Sequence, residues 1–74
     1  MSLTSEEKQQ KLDELNEFIA QHKHDKGALM PVMQKAQDLF GYLSLETQSI
    51  IAEALNVSVA EVYGVATFYA QFSL

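Results

Sequence analysis

Three groups of side chains in this sequence are of types that do chemistry. His22, His24 and Asp25 are metal-ligand types, and Asp13, Glu14 and Glu17 are the carboxylates a general acid–base pair would use. Ser44 and Ser58 carry hydroxyls of the kind a nucleophile needs. None of the three has the spacing its chemistry requires. Residues two apart on a helix point about 200° from each other, so His22 and His24 diverge, and no third ligand cluster accompanies them. They read as solvated or helix-capping side chains. The carboxylates fall on one stretch of a polar helix and read as a solvated acidic face. Both serines stand where a helix cap is needed. The chain has no cysteine, which excludes disulfides, thiolate zinc sites, iron–sulfur ligation and a cysteine nucleophile, and it has no glycine-rich phosphate loop. The expected catalytic, cofactor-binding and metal sites are therefore none.

The elements that would position such groups are few. Seventy-four residues make one domain, and a chain of this size buries only about 60% of the surface its unfolded form exposes. With disulfides and metal excluded, support is expected from a partner or a neighbouring domain. Ten acids against five bases give a net charge of −5, and all five bases are lysines. After Lys26 the only base is Lys35, against Asp38, Glu46, Glu53 and Glu61, so the C-terminal two thirds would repel a polyanion and nucleic acid is not an expected partner. No apolar run approaches the roughly 18 to 20 residues that cross a bilayer, and Met1 to Glu7 lacks the pattern of a signal sequence. A cytoplasmic protein without direct membrane insertion is expected.

Hydrophobic spacing predicts an all-α fold, a small bundle of three to four helices, with no strand-period alternation. Helix one is expected from about 5 to 22, with Leu12, Leu15, Phe18 and Ile19 on one face and its first two turns exposed or frayed. Helix two, about 28 to 40, takes Pro31 in its first turn and closes on Gly41 in the left-handed conformation. Helix three, about 45 to 55, is capped by Ser44, turns Ile50, Ile51, Ala54 and Leu55 inward and ends at Asn56. Helix four, about 59 to 72, begins with a predicted capping box, Ser58-Val-Ala-Glu61, with Val57 and Val62 as its hydrophobic staple.

Helix four is apolar over most of its circumference. Val59, Val62, Tyr63, Ala66, Tyr69 and Ala70 form a core stripe, and Val65, Phe68 and Phe72 widen it on one side. One reading makes it the core helix of a tiny bundle; the preferred one gives Val65, Phe68 and Phe72 a second contact, as an interaction surface. Gly64 in mid-helix costs about 1 kcal/mol relative to alanine, which suggests close approach of another helix backbone or, secondarily, a hinge or ligand contact. Glu46 to Tyr69 has the outline of a helix-turn-helix, but its second helix contains no lysine or arginine, so the motif reads as architectural. An acidic carrier protein would need an Asp-Ser-Leu attachment signature, and Leu43-Ser44-Leu45 lacks the aspartate.

From Gly27 onward, the runs ALMPVMQKAQ, FGYL at Phe40 to Leu43 and VYGVATFY at Val62 to Tyr69 resemble the N-terminal helical region of the thioredoxin-like 2Fe-2S subunit of NADH-oxidising modules. That subunit family occurs in respiratory complex I, NAD(P)-reducing hydrogenases and NAD-dependent formate dehydrogenases. The resemblance implies an oxidoreductase subunit in which a helical domain precedes a thioredoxin-like domain holding a 2Fe-2S cluster, beside a flavin-containing NADH-binding subunit. The four cysteines of that cluster are absent here. The cluster is expected in a C-terminal domain of a longer parent, of which these residues would be a fragment; the alternative is a natural stand-alone relative. The expected function is assembly and docking within an electron-transfer subunit, with no chemistry in this stretch and with the cluster domain or the flavin-containing subunit as neighbour. The other reading is a helical protein–protein adaptor built on the helix-turn-helix scaffold.

Overall fold

Local signals in the sequence start α1, α3 and α4 and stop α2 and α3 in the computed structural model, which describes residues 4–69 and 71–74. Helix α1 (Ser5–His22) opens on a full capping box: the Glu7 N–H donates to the Thr4 hydroxyl at 3.1 Å, and the Thr4 N–H donates back to the Glu7 carboxylate at 3.4 Å. Its first turns are helical and exposed. The helix reaches the core only at Leu15 and Ile19, with Leu12 and Phe18 half-buried at its edge.

Helix α2 (Leu29–Phe40) buries Val32, Met33 and Ala36 and ends at Gly41, whose φ of 83° places it in the left-handed region. There the Gly41 N–H donates to the Gln37 carbonyl at 2.7 Å, which turns the chain out of the helix without a Cβ penalty. Helix α3 (Leu45–Leu55) starts where the Ser44 hydroxyl accepts from the Thr47 N–H at 3.1 Å. It buries Thr47, Gln48, Ile51 and Ala52 and closes on Asn56 at φ 57°. Helix α4 (Val59–Phe68) starts where the Ser58 hydroxyl accepts from the Glu61 N–H at 3.0 Å. Between α3 and α4 the chain bends by 119°, within the range of a helix-turn-helix pairing.

Successive helices pack on one another, α1 on α2, α2 on α3 and α3 on α4. The fold is an all-α bundle, and no strand is formed among the described residues. Leu15, Val32, Met33, Leu43, Ile51 and Val62 fill its centre with 0 or 1% exposure, each stabilising the fold by about 1.5–3 kcal/mol relative to an exposed position.

Four expectations are corrected. Helix four, expected to about Phe72, ends at Phe68: Tyr69 leaves the helix at φ −101°, ψ 120°. Of its expected core stripe only Val62 and Ala66 are buried, while Val59, Tyr63 and Tyr69 stand exposed; Ala70 lies outside the described residues. The reciprocal half of the Ser58–Glu61 box, a bond from the Ser58 N–H to the Glu61 carboxylate, is not made. Ala54, expected to face inward, is exposed, because α3 turns Thr47, Gln48, Ile51 and Ala52 toward the core instead.

The residues after α4 fold back as a strap. Phe72 re-enters the core at 7% exposure, and the Leu43 N–H donates to the Ser73 carbonyl at 2.7 Å. The Gln37 amide holds the strap from α2: its N–H donates to the Gln71 carbonyl, and its oxygen accepts from the Ser73 N–H at 2.5 Å. Gln71 in turn donates to the Gln34 side-chain oxygen at 3.2 Å, and Gln34 donates to Asp38 at 3.0 Å.

Candidate functional site

The chemistry-bearing side chains are dispersed. The Nδ1 of His22 lies 2.9 Å from an Asp25 carboxylate oxygen, and its ring packs 4.4 Å from that of Phe18, centroid to centroid. His24 is exposed and is not part of this pair. Glu14 faces Lys35 at 3.7 Å, an exposed ion pair, and Lys35 also lies over the Phe18 ring. Ser44 and Ser58 act as helix caps through their hydroxyls. Among the described residues no group of three or more His, Cys, Asp or Glu could hold a metal ion. One open, largely polar depression runs between Glu7, Gln10, Lys11, Glu14 and Leu39, and another lies between Lys23, Asp25, Gly27, Ala28, Leu29, Leu55 and Val57. Neither is enclosed, as a small-molecule site is.

The feature that departs from an ordinary small-domain surface is the outer side of α4. Phe68 is 80% exposed, and the Tyr69 ring meets it edge-on at 5.1 Å. An edge-to-face aromatic pair is favourable, yet one this open to water leaves most of its apolar surface unburied. Glu61 and Gly64 share the Phe68 face at helical spacing and are exposed. Nothing lies within 4 Å of where a Cβ on Gly64 would stand, so the close approach expected there is not made within the described residues.

Val65, Phe68 and Phe72, expected to form one surface, take three different positions. Phe68 points outward, Val65 packs half-buried on the edge of the core cluster, and Phe72 is part of that cluster. The helix ends before Phe72, so the helical projection that aligned the three does not reach it. Sequence reasoning missed the exposure of Tyr63 and Tyr69 and the strap that seats Phe72. The glutamines at 34, 37 and 71 were the only trace of that strap, and a glutamine carries no local sign of its partner.

Four helices in this order agree with the helical region that the resemblance implies. The family of thioredoxin-like 2Fe-2S ferredoxins matches residues 15–74, and the chain belongs to it. The match begins at Leu15, the first residue of α1 to enter the core. Among curated proteins, the NADP-reducing hydrogenase subunit HndA of Solidesulfovibrio fructosivorans is 41% identical over 61 residues, which cover 82% of this chain and 36% of that subunit. The chain thus spans about a third of the length of the relative it matches.

A 2Fe-2S cluster, which the family name implies, is held by cysteine thiolates, with imidazole replacing some of them in one class. This sequence has no cysteine, and its two histidines diverge, one of them paired with Asp25. The residues present do not fit such a cluster. Among the described residues no single helix is long and apolar enough to cross a membrane.

Proposed function

We propose that this chain is the helical part of an iron–sulfur subunit in an NAD(P)-linked oxidoreductase and serves there as an assembly and docking domain. Membership of the 2Fe-2S family and the likeness to a hydrogenase subunit support the electron-transfer setting. The lack of cysteine supports placing the cluster outside these residues, in the remainder of the parent subunit. By the resemblance, the neighbours are that cluster domain and the flavin-containing NADH-binding subunit. The parent complex is read as cytoplasmic and this chain as taking no part in the chemical steps.

One observation carries the docking role: Phe68 holds a large apolar ring in water on a face of α4 that the bundle does not cover. A fully buried phenylalanine gains about 1.5–3 kcal/mol over an exposed one, and a partner can supply that burial. The test is Phe68→Ser in the full-length subunit, followed by co-purification with the flavin-containing subunit. The change touches no core residue, so helicity and unfolding temperature are expected to hold while the complex is lost. Retention of the complex at parental yield would sink the docking role. A stand-alone adaptor is favoured instead if the parental chain leaves the oxidoreductase subunits alone and binds another protein through the same residue.

A further inference from the structure

Glu61, Gly64 and Phe68 lie at i, i+3 and i+7 on the uncovered face of α4. They span about 10 Å along the helix axis at 1.5 Å per residue. Each is left unexplained by the chain's own fold. The cost of glycine in a helix interior is not offset here, because the space beside Gly64 is open. Phe68 is 80% exposed, in an edge-to-face contact with Tyr69. Glu61 gives its N–H to the Ser58 cap, while among the described residues its carboxylate makes neither the return capping bond nor an ion pair.

We infer that this face receives an amphipathic helix of a partner subunit, whose backbone crosses at Gly64, whose apolar side covers Phe68, and which brings a lysine or arginine to Glu61. A missing Cβ allows backbones to approach closely, and an apolar anchor with a charge two turns away sets the register of a helix laid along the face. The sign of the partner follows from Glu61 on this face and from the charge of this part of the chain. From α3 onward the chain carries Glu46, Glu53 and Glu61 and no base, and Glu46 is already paired with Lys8 at 3.1 Å. A second copy of the chain would bring its own Glu61 and no base from α4 to this face, which like-charge repulsion disfavours. The inference rests on the docking role proposed above and adds the partner's shape and charge.

The test uses the full-length subunit and the purified flavin-containing subunit of the parent oxidoreductase, titrated against each other at low and moderate salt. Gly64→Leu is expected to weaken binding about tenfold or more, by inserting a side chain into a close contact. Glu61→Lys is expected to weaken it several-fold at low salt, with the difference shrinking as salt screens the pair. Circular dichroism should show both variants fully helical. If Phe68→Ser weakens binding while Gly64→Leu and Glu61→Lys bind as the parent does, the docking role stands and the basic helix is wrong. If the parental subunit fails to bind, or Phe68→Ser binds normally, the docking role itself fails and takes this inference with it. Sedimentation that shows dimers abolished by Gly64→Leu would identify a second copy as the occupant and overturn the proposal.

Discussion

The Gln37 side chain accepts from the Ser73 backbone N–H at 2.5 Å and also donates to the Gln71 carbonyl, so one amide on α2 grips two backbone groups of the strap. The two bonds mimic the pairing a strand neighbour would offer, and they hold the chain on either side of Phe72. Gln37→Ala removes both at once and leaves a donor and an acceptor of the strap to water. Hydrogen bonds of this kind contribute about 0.5–1.5 kcal/mol each, so a loss of about 1–2 kcal/mol is expected in urea unfolding. Amide exchange should be fastest to respond at Ser73 and Leu43, whose N–H groups belong to the strap contacts.

Phe68 and Phe72 predict opposite behaviour from the same side chain. Phe72 is 7% exposed within the core cluster, and truncation of a buried phenylalanine to alanine costs about 3–5 kcal/mol. A domain of this size has only about 4–11 kcal/mol in total. Phe72→Ala should therefore bring the unfolding midpoint close to native conditions or below them. Phe68→Ala should change stability by less than about 0.5 kcal/mol, as exposed substitutions do. Urea titrations of the two variants side by side would check this, and equal losses would contradict the placement of Phe68 outside the core.

The helical class of the fold, the family, the left-handed turn at Gly41 and the caps at Ser44 and Ser58 were legible in the sequence, because each rests on short-range chemistry. The end and the orientation of α4 were not. A helix with polar residues on one side announces which side is inward, but α4 is apolar nearly all round, so periodicity placed Val62 and Tyr63 inward and Val65 outward on little contrast, and only Val62 is buried. The inward side is decided by what α3 and the strap present to it, and the strap depends on Gln37 meeting residues more than thirty positions away. Phe72 looked like surface because the helical projection carried it past the point where Tyr69 leaves the helix.

The caps at Ser58 and Thr4 should differ in their reach. Ser58 starts a helix whose first buried residue, Val62, is one turn away, so loss of the cap is felt by the core. Ser58→Ala is expected to cost about 1 kcal/mol of global stability. Thr4 caps turns that bury nothing before Leu15. Fraying there is decoupled from unfolding of the bundle. Thr4→Ala should speed amide exchange in the first turns of α1 and leave the unfolding midpoint nearly unchanged.

Glycine to alanine should have opposite signs at two positions with the same open surroundings. At Gly41 and at Gly64 nothing lies within 4 Å of an added Cβ, so neither change meets a steric obstacle. The difference is in the backbone. Gly41 sits at φ 83°, a conformation that costs an L-residue about 1 kcal/mol or more. Gly41→Ala should lower the unfolding temperature. Gly64 has ordinary helical geometry within α4, where alanine is favoured by about 1 kcal/mol. Gly64→Ala should raise the unfolding temperature of the chain by a few degrees. A residue whose replacement stabilises the fold at no steric cost is held against that gain by something other than folding. If Gly64→Ala fails to stabilise, α4 does not place glycine in an open helix interior, and the argument that an outside helix crosses there loses its first support.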